Sequence, residues 1–204
     1  MILPTLKVEK TLWGKGLEFI VGIDEVGRGS WAGPLVAAGV ILPKDFRIPS
    51  GLKDSKQLTK GKREEFNVLI KRTALCYSIV EVSHTIINKI GVGEANQIAF
   101  RQVINRLKQK PDFAIIDGFH IKYVAKSKQL PIKFGDAKCA SIAAASIIAK
   151  VYRDHLMTSL SAIYPKYSFE QHKGYGTKNH QKAIQKYGFC EIHRTGYNLN
   201  FLFT

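Results

Sequence analysis

Apolar residues follow two different periods along this chain, and the change from one period to the other marks the predicted elements. Short apolar runs rich in β-branched and aromatic residues predict buried strands, whereas apolar residues at helical spacing predict amphipathic helices. The predicted strands are 18–23, 34–43, 76–83, 111–119 and 130–136, and the predicted helices are 59–75, 84–91, 94–110, 137–164 and 177–188.

Glycines and capping residues between these segments indicate where the predicted elements begin and end. The glycine-rich stretch between the first two strands predicts a hairpin, and Thr59 is the expected N-cap of the helix that follows it. Gly91 is expected to end a short helix. The first half of 137–164 is nearly all Ala, Ser and Ile, so this helix must pack very closely on a neighbour. Residues 165–176 are predicted to be a loop.

The order of these elements predicts the fold class. An early hairpin followed by alternating helices and strands is typical of an α/β layered fold with a central mixed β-sheet flanked by helices. We expect a catalytic core over 1–164 and a small C-terminal loop and helical region over 165–204, packed on the core as one compact unit.

The net charge of the chain indicates which class of partner it binds. The chain carries 31 Lys and Arg against 16 Asp and Glu, which gives a net charge of +15. A solvated surface would account for part of this excess, but a polyanionic partner accounts for it better, and nucleic acid is favoured over an acidic membrane face. The charge is spread through folded segments, as expected for a basic face rather than a basic tail.

The compartment follows from the cysteines and the start of the chain. Cys76, Cys139 and Cys190 are odd in number and far apart, without zinc-binding spacing. The first residues lack the basic and apolar regions of a signal peptide, and no apolar run reaches membrane-spanning length. We therefore expect a reduced, cytoplasmic setting.

Four acids share one position in the pattern, at or just beyond the end of an apolar strand and beside a glycine. They are Asp24, Glu25, Asp117 and Asp136. Each alone is readily explained as a turn or helix-capping residue. If their strands are neighbours, however, the carboxylates converge at one sheet edge, where their mutual repulsion calls for a divalent cation. Mg²⁺ and Mn²⁺ prefer such oxygen ligands.

Five motifs carry a resemblance to a known family. They are GIDEVGRGSWAGPLVAAGVIL, LKDSKQLT, IIDGF, FGDAKCASIAAASIIAKVYRDHLM and HKGYGTKNH, in that order over nearly the whole chain. Together they resemble bacterial type 2 ribonuclease H, the ribonuclease HII family. The resemblance implies a ribonuclease H-like fold and an endonuclease for RNA in RNA–DNA hybrids and for single ribonucleotides in duplex DNA, cutting 5′ of the ribonucleotide to leave 3′-hydroxyl and 5′-phosphate ends.

The resemblance also implies roles for individual residues. The four acids would bind two Mg²⁺ or Mn²⁺ ions and would be the catalytic residues. The implied nucleic-acid-binding residues are Gly27, Arg28, Gly29, Lys56, Lys173 and Tyr175. Among these, glycines allow backbone groups to approach a ribose closely. The implied processes are ribonucleotide excision repair and DNA replication, with a monomeric enzyme.

Several features depart from the family pattern or stay open. Val26, Ser30 and Trp31 flank the GRG turn where the family often has other residues, and the place of Trp31 is undecided. Asp154 is expected to have a structural or outer-shell role, and His193 and Arg194 are assigned to folding or backbone contact. Residues 198–203 have a loose likeness to sliding-clamp-binding peptides, although an apolar tail packed on the domain is the favoured explanation. Two other functions remain: a non-catalytic nucleic-acid-binding protein, and another metal nuclease of the same fold, such as a junction resolvase.

Overall fold

A computed structural model describes residues 3–199 and 202. Five strands form one sheet, and helices cover both of its faces. The strands are β1 Ile20–Val26, β2 Leu35–Ile41, β3 Cys76–Val82, β4 Phe113–Asp117 and β5 Gln129–Ile132, and the helices are α1 Lys7–Trp13, α2 Lys60–Thr73, α3 His84–Arg106, α4 Ala140–Ile163, α5 Phe169–His172 and α6 Lys178–Tyr187.

The sheet is mixed, in the order β3-β2-β1-β4-β5. The β1–β2 hairpin is antiparallel, as is the β2–β3 pair, whereas β4 and β5 run parallel to β1. The predicted α/β fold with a central mixed sheet is therefore confirmed. Because β1, β4 and β5 are parallel neighbours, their carboxyl ends meet at one edge of the sheet.

The two faces of the sheet bury different helices. Helices α2 and α4 pack on one face, where Phe66 and Ile70 of α2 join the alanines of α4 and alternate residues of β2. Helix α3 covers the other face with Ala95, Ala99 and Phe100. Because β2 is covered on both sides, it is a continuous apolar run without alternation.

Close contact between β1 and α4 is the tightest packing in this layer. A Cβ placed on Gly22 would lie 2.3 Å from the backbone carbon of Ser141. The small residues at the start of α4 therefore let the helix lie almost directly on the strand, which confirms the close packing expected from the Ala- and Ser-rich sequence. Glu9 of α1 secures this end of α4, because its Oε1 accepts hydrogen bonds from the Ser141 amide at 3.0 Å and hydroxyl at 2.7 Å.

Some boundaries differ from the prediction. Strand β1 does not end before the acids but continues through them to Val26, because they keep the antiparallel pairing with β2. The break expected at Gly91 is present, because Gly91 leaves the helical conformation with φ +79° and divides α3 between the segments predicted at 84–91 and 94–110, but α3 ends at Arg106 rather than at residue 110. Helix α4 begins at Ala140, after a 3₁₀ turn, and α1 had no prediction.

The segment 165–176 is also not the plain loop that was predicted. It contains a 3₁₀ turn over Pro165–Tyr167 and the short helix α5. Phe169 of α5 is fully buried against Met157 of α4, which supplies the tertiary contact that a four-residue helix needs. Thr59 caps α2 as expected, its hydroxyl accepting from the Lys62 amide at 3.3 Å.

Within the described residues, no helix is both long enough and apolar enough to cross a membrane.

Candidate active site and nucleic-acid interface

Three of the four acids come from neighbouring parallel strands. Ile23 of β1 is level with Ile116 of β4, so the next residues, Asp24 and Asp117, lie side by side. Asp136 follows β5 in the turn Gly135–Ala137, and the Gly135 amide donates to Asp117 Oδ1 at 2.7 Å. The sheet topology thus brings these carboxyls to one edge.

The adjacent pair Asp24 and Glu25 divides between the two faces of β1. Because successive side chains on a strand alternate, Asp24 points to the α4 face and Glu25 to the α3 face that Ile23 also occupies. Asp24 lies by Ser146 of α4, whose hydroxyl lowers its pKa. Glu25 lies by Asn96 of α3. The pairing of two acids at the strand end therefore places one carboxyl in each helix layer.

Burial and mutual repulsion keep these carboxyls from ionising easily. Burial raises the pKa of Asp24 well above its usual range, and the charges of Glu25 and Asp117 raise it further. The pKa of Glu25 rises to about 7, chiefly through burial, although the Arg28 guanidinium opposes the rise. Burial also raises the pKa of Asp117, while its hydrogen bond from Gly135 lowers it. Perturbed acids gathered in a cleft are typical of functional sites.

Lys56 is the cation nearest to the acids. Its ammonium lies 3.4 Å from Asp136 Oδ2, with the lysine side chain 75% exposed and that of Asp136 only 7% exposed. Burial would lower the pKa of Lys56, but the charges of Asp136, Asp54 and Asp24 outweigh it and raise the pKa. The Asp54 carboxylate also accepts from the Lys56 amide at 2.9 Å, which fixes the loop. Lys56 thus stands at the mouth of the acidic cleft.

The chemistry of this cleft fits a divalent cation. Glu25 Oε2 is buried and accepts no hydrogen bond from the described residues, so it is an acceptor without a donor. As the side chains stand, no three Asp, Glu, His or Cys residues in the described part of the chain form a closed ligand cluster. Repulsion accounts for this spacing, because Asp117 and Asp136 turn to Gly135 and Lys56 instead. Carboxylate oxygens of this kind are the ligands that Mg²⁺ and Mn²⁺ bind.

The two glycines of the turn after β1 lie in different surroundings. Gly27 has φ +83°, and a Cβ there would lie 2.1 Å from Nε of the buried Arg153. Gly29 has neither constraint, since an added Cβ would meet nothing within 4 Å. Packing and backbone conformation therefore explain Gly27, whereas the contacts of the domain do not require a glycine at position 29.

Arg28, between these glycines, faces the neighbouring strand end. Its guanidinium lies 4.6 Å from the ring centroid of Phe119, two residues beyond Asp117. This contact holds the cation over the cleft rather than in a surface ion pair. The Arg28 carbonyl is also fixed, because it accepts from Arg194 Nη1 at 3.0 Å and from the Tyr197 hydroxyl.

Tyr175 comes to the same turn from the C-terminal region. The Gly27 amide donates to the Tyr175 hydroxyl at 3.2 Å, and the Arg153 guanidinium lies 5.5 Å from the ring centroid. Tyr175 is therefore held in place although a glycine lies on either side of it in the sequence. Together with Glu25, Lys56 and Ser146, Tyr175 lines a cleft beside the acids.

Trp31, which the sequence left unplaced, joins the turn to the C-terminal region. Its amide donates to the Gly174 carbonyl at 2.8 Å, and a Cβ on Gly176 would lie 2.2 Å from its indole ring. The Arg194 amide donates to the Trp31 carbonyl at 2.7 Å. Its bulk therefore packs against the loop that carries Tyr175.

Two neutral histidines, His180 and His193, link the Tyr175 loop to the C-terminal segment through hydrogen bonds. Nδ1 of His180 donates to the Tyr175 carbonyl at 3.0 Å, which leaves its Nε2 as the acceptor for His193 Nε2 at 3.1 Å. His193 Nδ1 then accepts the Cys190 amide at 2.8 Å. Burial lowers the pKa of His180 to about 3 and of His193 to about 4, so both rings stay uncharged. The expected folding role of His193 and Arg194 fits these contacts.

The remaining singled-out residues lie further along α4. Asp154 pairs with Lys150 at 2.7 Å and with Arg63 at 3.7 Å, which gives it the structural role expected. The Lys173 ammonium donates to the Thr158 hydroxyl at 3.1 Å, on the same side of the molecule. Lys173 is thus close to other lysines and separate from the four acids.

Sequence reasoning missed Arg153, the buried centre of this interface. Its guanidinium donates to the carbonyls of Pro34 at 2.9 Å, Lys173 at 2.9 Å and Ala32 at 3.2 Å. An arginine next to Asp154 in a helix gives the appearance of an exposed pair, and nothing in the local pattern indicates that it is fully buried. It fixes the turn after β1 and the Tyr175 loop with one side chain.

Comparison with known proteins gives one consistent family. The family model described as Ribonuclease HII matches residues 21–200. A curated Ribonuclease HII of Endomicrobium trichonymphae is 48% identical over 186 residues, which cover 91% of this chain and 88% of the relative. A Bacillus anthracis Ribonuclease HII is 49% identical over 191 residues, which cover 94% of this chain and 73% of the relative.

Solved structures agree with this result. The ribonuclease H2 of Pyrococcus horikoshii OT3 superposes with a TM-score of 0.72 at 27% identity, covering 88% of this chain and 94% of that one. The RNase HII in a PCNA complex from Archaeoglobus fulgidus has a TM-score of 0.75 at 25% identity, covering 89% of this chain and 96% of that one.

The raised carboxyl pKa values predict an inverted pH dependence of stability without metal. The folded chain keeps protons on Asp24 and Glu25 that the unfolded chain releases above about pH 4.5. In EDTA, the free energy of unfolding should therefore fall by up to about 1.4 kcal/mol per pH unit for each such proton as the pH rises from 5 to 7. Urea unfolding across this range measures the slope.

Two variants separate this effect from other titrations. Glu25→Gln should flatten the slope, and Asp24→Asn should raise the melting temperature in EDTA at pH 8 while abolishing the increase that Mg²⁺ or Mn²⁺ gives to the unmodified protein. An unchanged slope in Glu25→Gln, or an equal metal effect in Asp24→Asn, would contradict the assignment of these acids.

Proposed function

Because the chain belongs to the ribonuclease HII family, whose members are metal-dependent endoribonucleases, we propose that it cleaves the RNA strand of RNA–DNA hybrids and cuts 5′ of single ribonucleotides embedded in duplex DNA. The expected products end in a 3′-hydroxyl and a 5′-phosphate. Asp24, Glu25, Asp117 and Asp136 are the proposed catalytic and metal-binding residues.

One observation carries the proposal: an acidic cleft with raised carboxyl pKa values lies directly beside a bare, rigidly held turn. The acids would supply ligands for the cation. The turn would present backbone N–H and C=O groups to a sugar hydroxyl. Glu25 lies in β1, two residues before Gly27, so the proposed ribose-reading turn and two of the proposed catalytic acids belong to one hairpin. A binding protein without catalysis has no use for buried acids that destabilise it.

The acids have distinct duties in this scheme. Two Mg²⁺ or Mn²⁺ ions, when bound, would activate a water and stabilise the departing 3′-oxygen. Asp24 is buried between β1 and α4, close to Glu25 and Asp117. The Ser146 hydroxyl would fix the orientation of its carboxylate. Lys56 would balance Asp136 until a cation is present and would then be free to meet a phosphate.

Recognition of the ribonucleotide rests on the turn and on Tyr175. The 2′-hydroxyl is what distinguishes ribose from deoxyribose at a single site. Open space over Gly29 supports its approach to the backbone amides and carbonyls there. The Tyr175 ring, fixed by Gly27 and Arg153, would pack against the adjoining sugar and sense the junction between ribonucleotide and DNA.

Electrostatic attraction would hold the rest of the duplex. Arg28 presents a fork that suits a phosphate, and Lys56 and Lys173 extend positive charge on either side. With a net charge of +15, binding should weaken steeply as salt rises.

Mapping of cleavage products tests the proposed function. A duplex with one embedded ribonucleotide should be cut only on the 5′ side of that residue, with Mg²⁺ or Mn²⁺ present, and an all-DNA junction should remain intact. Asp24→Asn should lose cleavage by roughly a hundredfold or more while keeping most of its affinity for the hybrid. Binding without any cleavage would favour a non-catalytic binding protein, and cleavage of the DNA junction would favour a resolvase.

The two glycines of the turn give a matched pair of variants. Gly27→Ala should lower the free energy of unfolding by about 2 kcal/mol or more, because its Cβ meets Arg153 and its φ is positive. Gly29→Ala should leave stability within about 0.5 kcal/mol but raise KM or lower kcat for the single-ribonucleotide duplex. Thermal unfolding and steady-state cleavage measure both effects. A Gly29→Ala enzyme with unaltered kinetics would contradict ribose reading at this turn.

A sliding-clamp contact through residues 198–203 is a separate proposal, supported by the PCNA complex of the Archaeoglobus protein. Residues 200, 201 and 203 lie outside the described part of the chain. Leu199 and Leu202 are buried beside Ile184, so those two side chains belong to the domain. A clamp pull-down should recover the full chain but neither a chain lacking 198–204 nor a Phe201→Ala, Phe203→Ala double variant that keeps both leucines. Equal recovery of all three removes the proposal.

A further inference from the structure

Phe134 has an unusual conformation and an unusual position. Its backbone lies in the left-handed region, with φ +57° and ψ +45°, which few bulky residues adopt. Its side chain is left 63% exposed, so packing within the domain does not offset the free-energy cost of this backbone conformation. Strain kept at an exposed aromatic residue is characteristic of sites where the side chain meets a ligand.

The ring stands at the acidic cleft with two cations beside it. Phe134 lines the same cleft as Asp117 and Asp136. The ammonium of Lys133 lies 5.4 Å from the ring centroid and that of Lys138 lies 6.0 Å away. Lys138 also donates to the Lys133 carbonyl at 2.7 Å, which ties the two lysines together. An aromatic face flanked by ammonium groups is the combination that binds sugars, bases and phosphates of nucleic acid.

The strand order places this surface across the acids from the ribose-reading turn. The turn Gly27–Gly29 joins β1 to β2, whereas Phe134 follows β5, two strands from β1 on the other side. Two strand spacings are about 10 Å, which corresponds to about three nucleotides along one strand of a duplex. A substrate lying across the acids would therefore reach both surfaces at once.

We propose that Phe134, Lys133 and Lys138 form a second contact surface for the substrate duplex, about three nucleotides from the ribonucleotide. The ring packs against sugar faces, and the two ammonium groups meet the adjoining phosphates. This inference rests on the proposed function for the identity of the duplex, and it adds a determinant of substrate length and affinity.

A glycine substitution separates a binding role from a structural one. Phe134→Gly removes the ring and also relieves the backbone, because glycine adopts positive φ without steric penalty. We expect KM for a single-ribonucleotide duplex to rise about tenfold, with kcat little changed and no fall in melting temperature. Phe134→Trp, which keeps an aromatic face, should restore most of the affinity.

Tyr123 offers a matched control. It is also aromatic, exposed and of positive φ, at +64°, with the Arg101 guanidinium 5.2 Å from its ring centroid, but it is not among the residues that line the cleft. Tyr123→Gly should leave KM unaltered. An unaltered KM in Phe134→Gly, an equal rise in Tyr123→Gly, or a KM increase accompanied by a lower melting temperature would overturn the proposal.

Duplex length provides an independent readout. Shortening the duplex to about two base pairs on one side of the ribonucleotide should abolish the difference between Phe134→Gly and the unmodified protein, and shortening the other side should not. A difference that persists in both shortened duplexes would also overturn the proposal.

Binding measured in EDTA keeps this inference apart from the proposed function. If the unmodified protein binds the duplex but does not cut it with metal, the proposed function fails, and the Kd of Phe134→Gly still decides on the contact surface. If the unmodified protein binds no ribonucleotide-containing duplex at all, both proposals fail.

Discussion

Repulsion among the carboxyls at the edge of the sheet is the constraint on which the rest of this structure depends. Asp24 and Asp117 lie level on parallel strands, and both have raised pKa values because they are buried near like charges. Such an arrangement opposes folding, so favourable packing elsewhere must offset its cost. The close packing of β1 on α4 at Gly22 and the hydrogen bonds from Ser141 of α4 to Glu9 contribute to this.

A second set of buried polar contacts builds the recognition surface onto this frame. Arg153 joins the turn after β1 to the Tyr175 loop through three carbonyl oxygens. His180 and His193, both neutral, form consecutive hydrogen bonds that connect the C-terminal segment to the same loop. Together with the contacts of Tyr175 and Arg194, these hydrogen bonds attach the segment after α4 to the turn that begins at Gly27.

The cleft is consequently asymmetric. On the β2 side it has a rigid, bare turn with Arg28 held over Phe119. On the β5 side it has an exposed aromatic ring with two lysines. The acids lie between these surfaces, and Lys56 stands at the opening. In the proposed function, a duplex would be read on one side, cut in the middle and held on the other.

The sequence by itself indicated all five strands, most of the helices and the mixed sheet, because hydrophobic periodicity is a local property, but it missed α1 and α5. It also singled out the four candidate acids from their positions at strand ends. It also led to the family through five motifs. Some features depended on tertiary structure alone. Among them are the burial of Arg153, the hold on Tyr175 and the packing of Trp31 on Gly176, each of which joins residues far apart in the chain. The physical reason is that the side-chain periodicity of a helix or strand is carried by residues close together in sequence, whereas the burial of a charge or an aromatic ring depends on which distant segment packs against it.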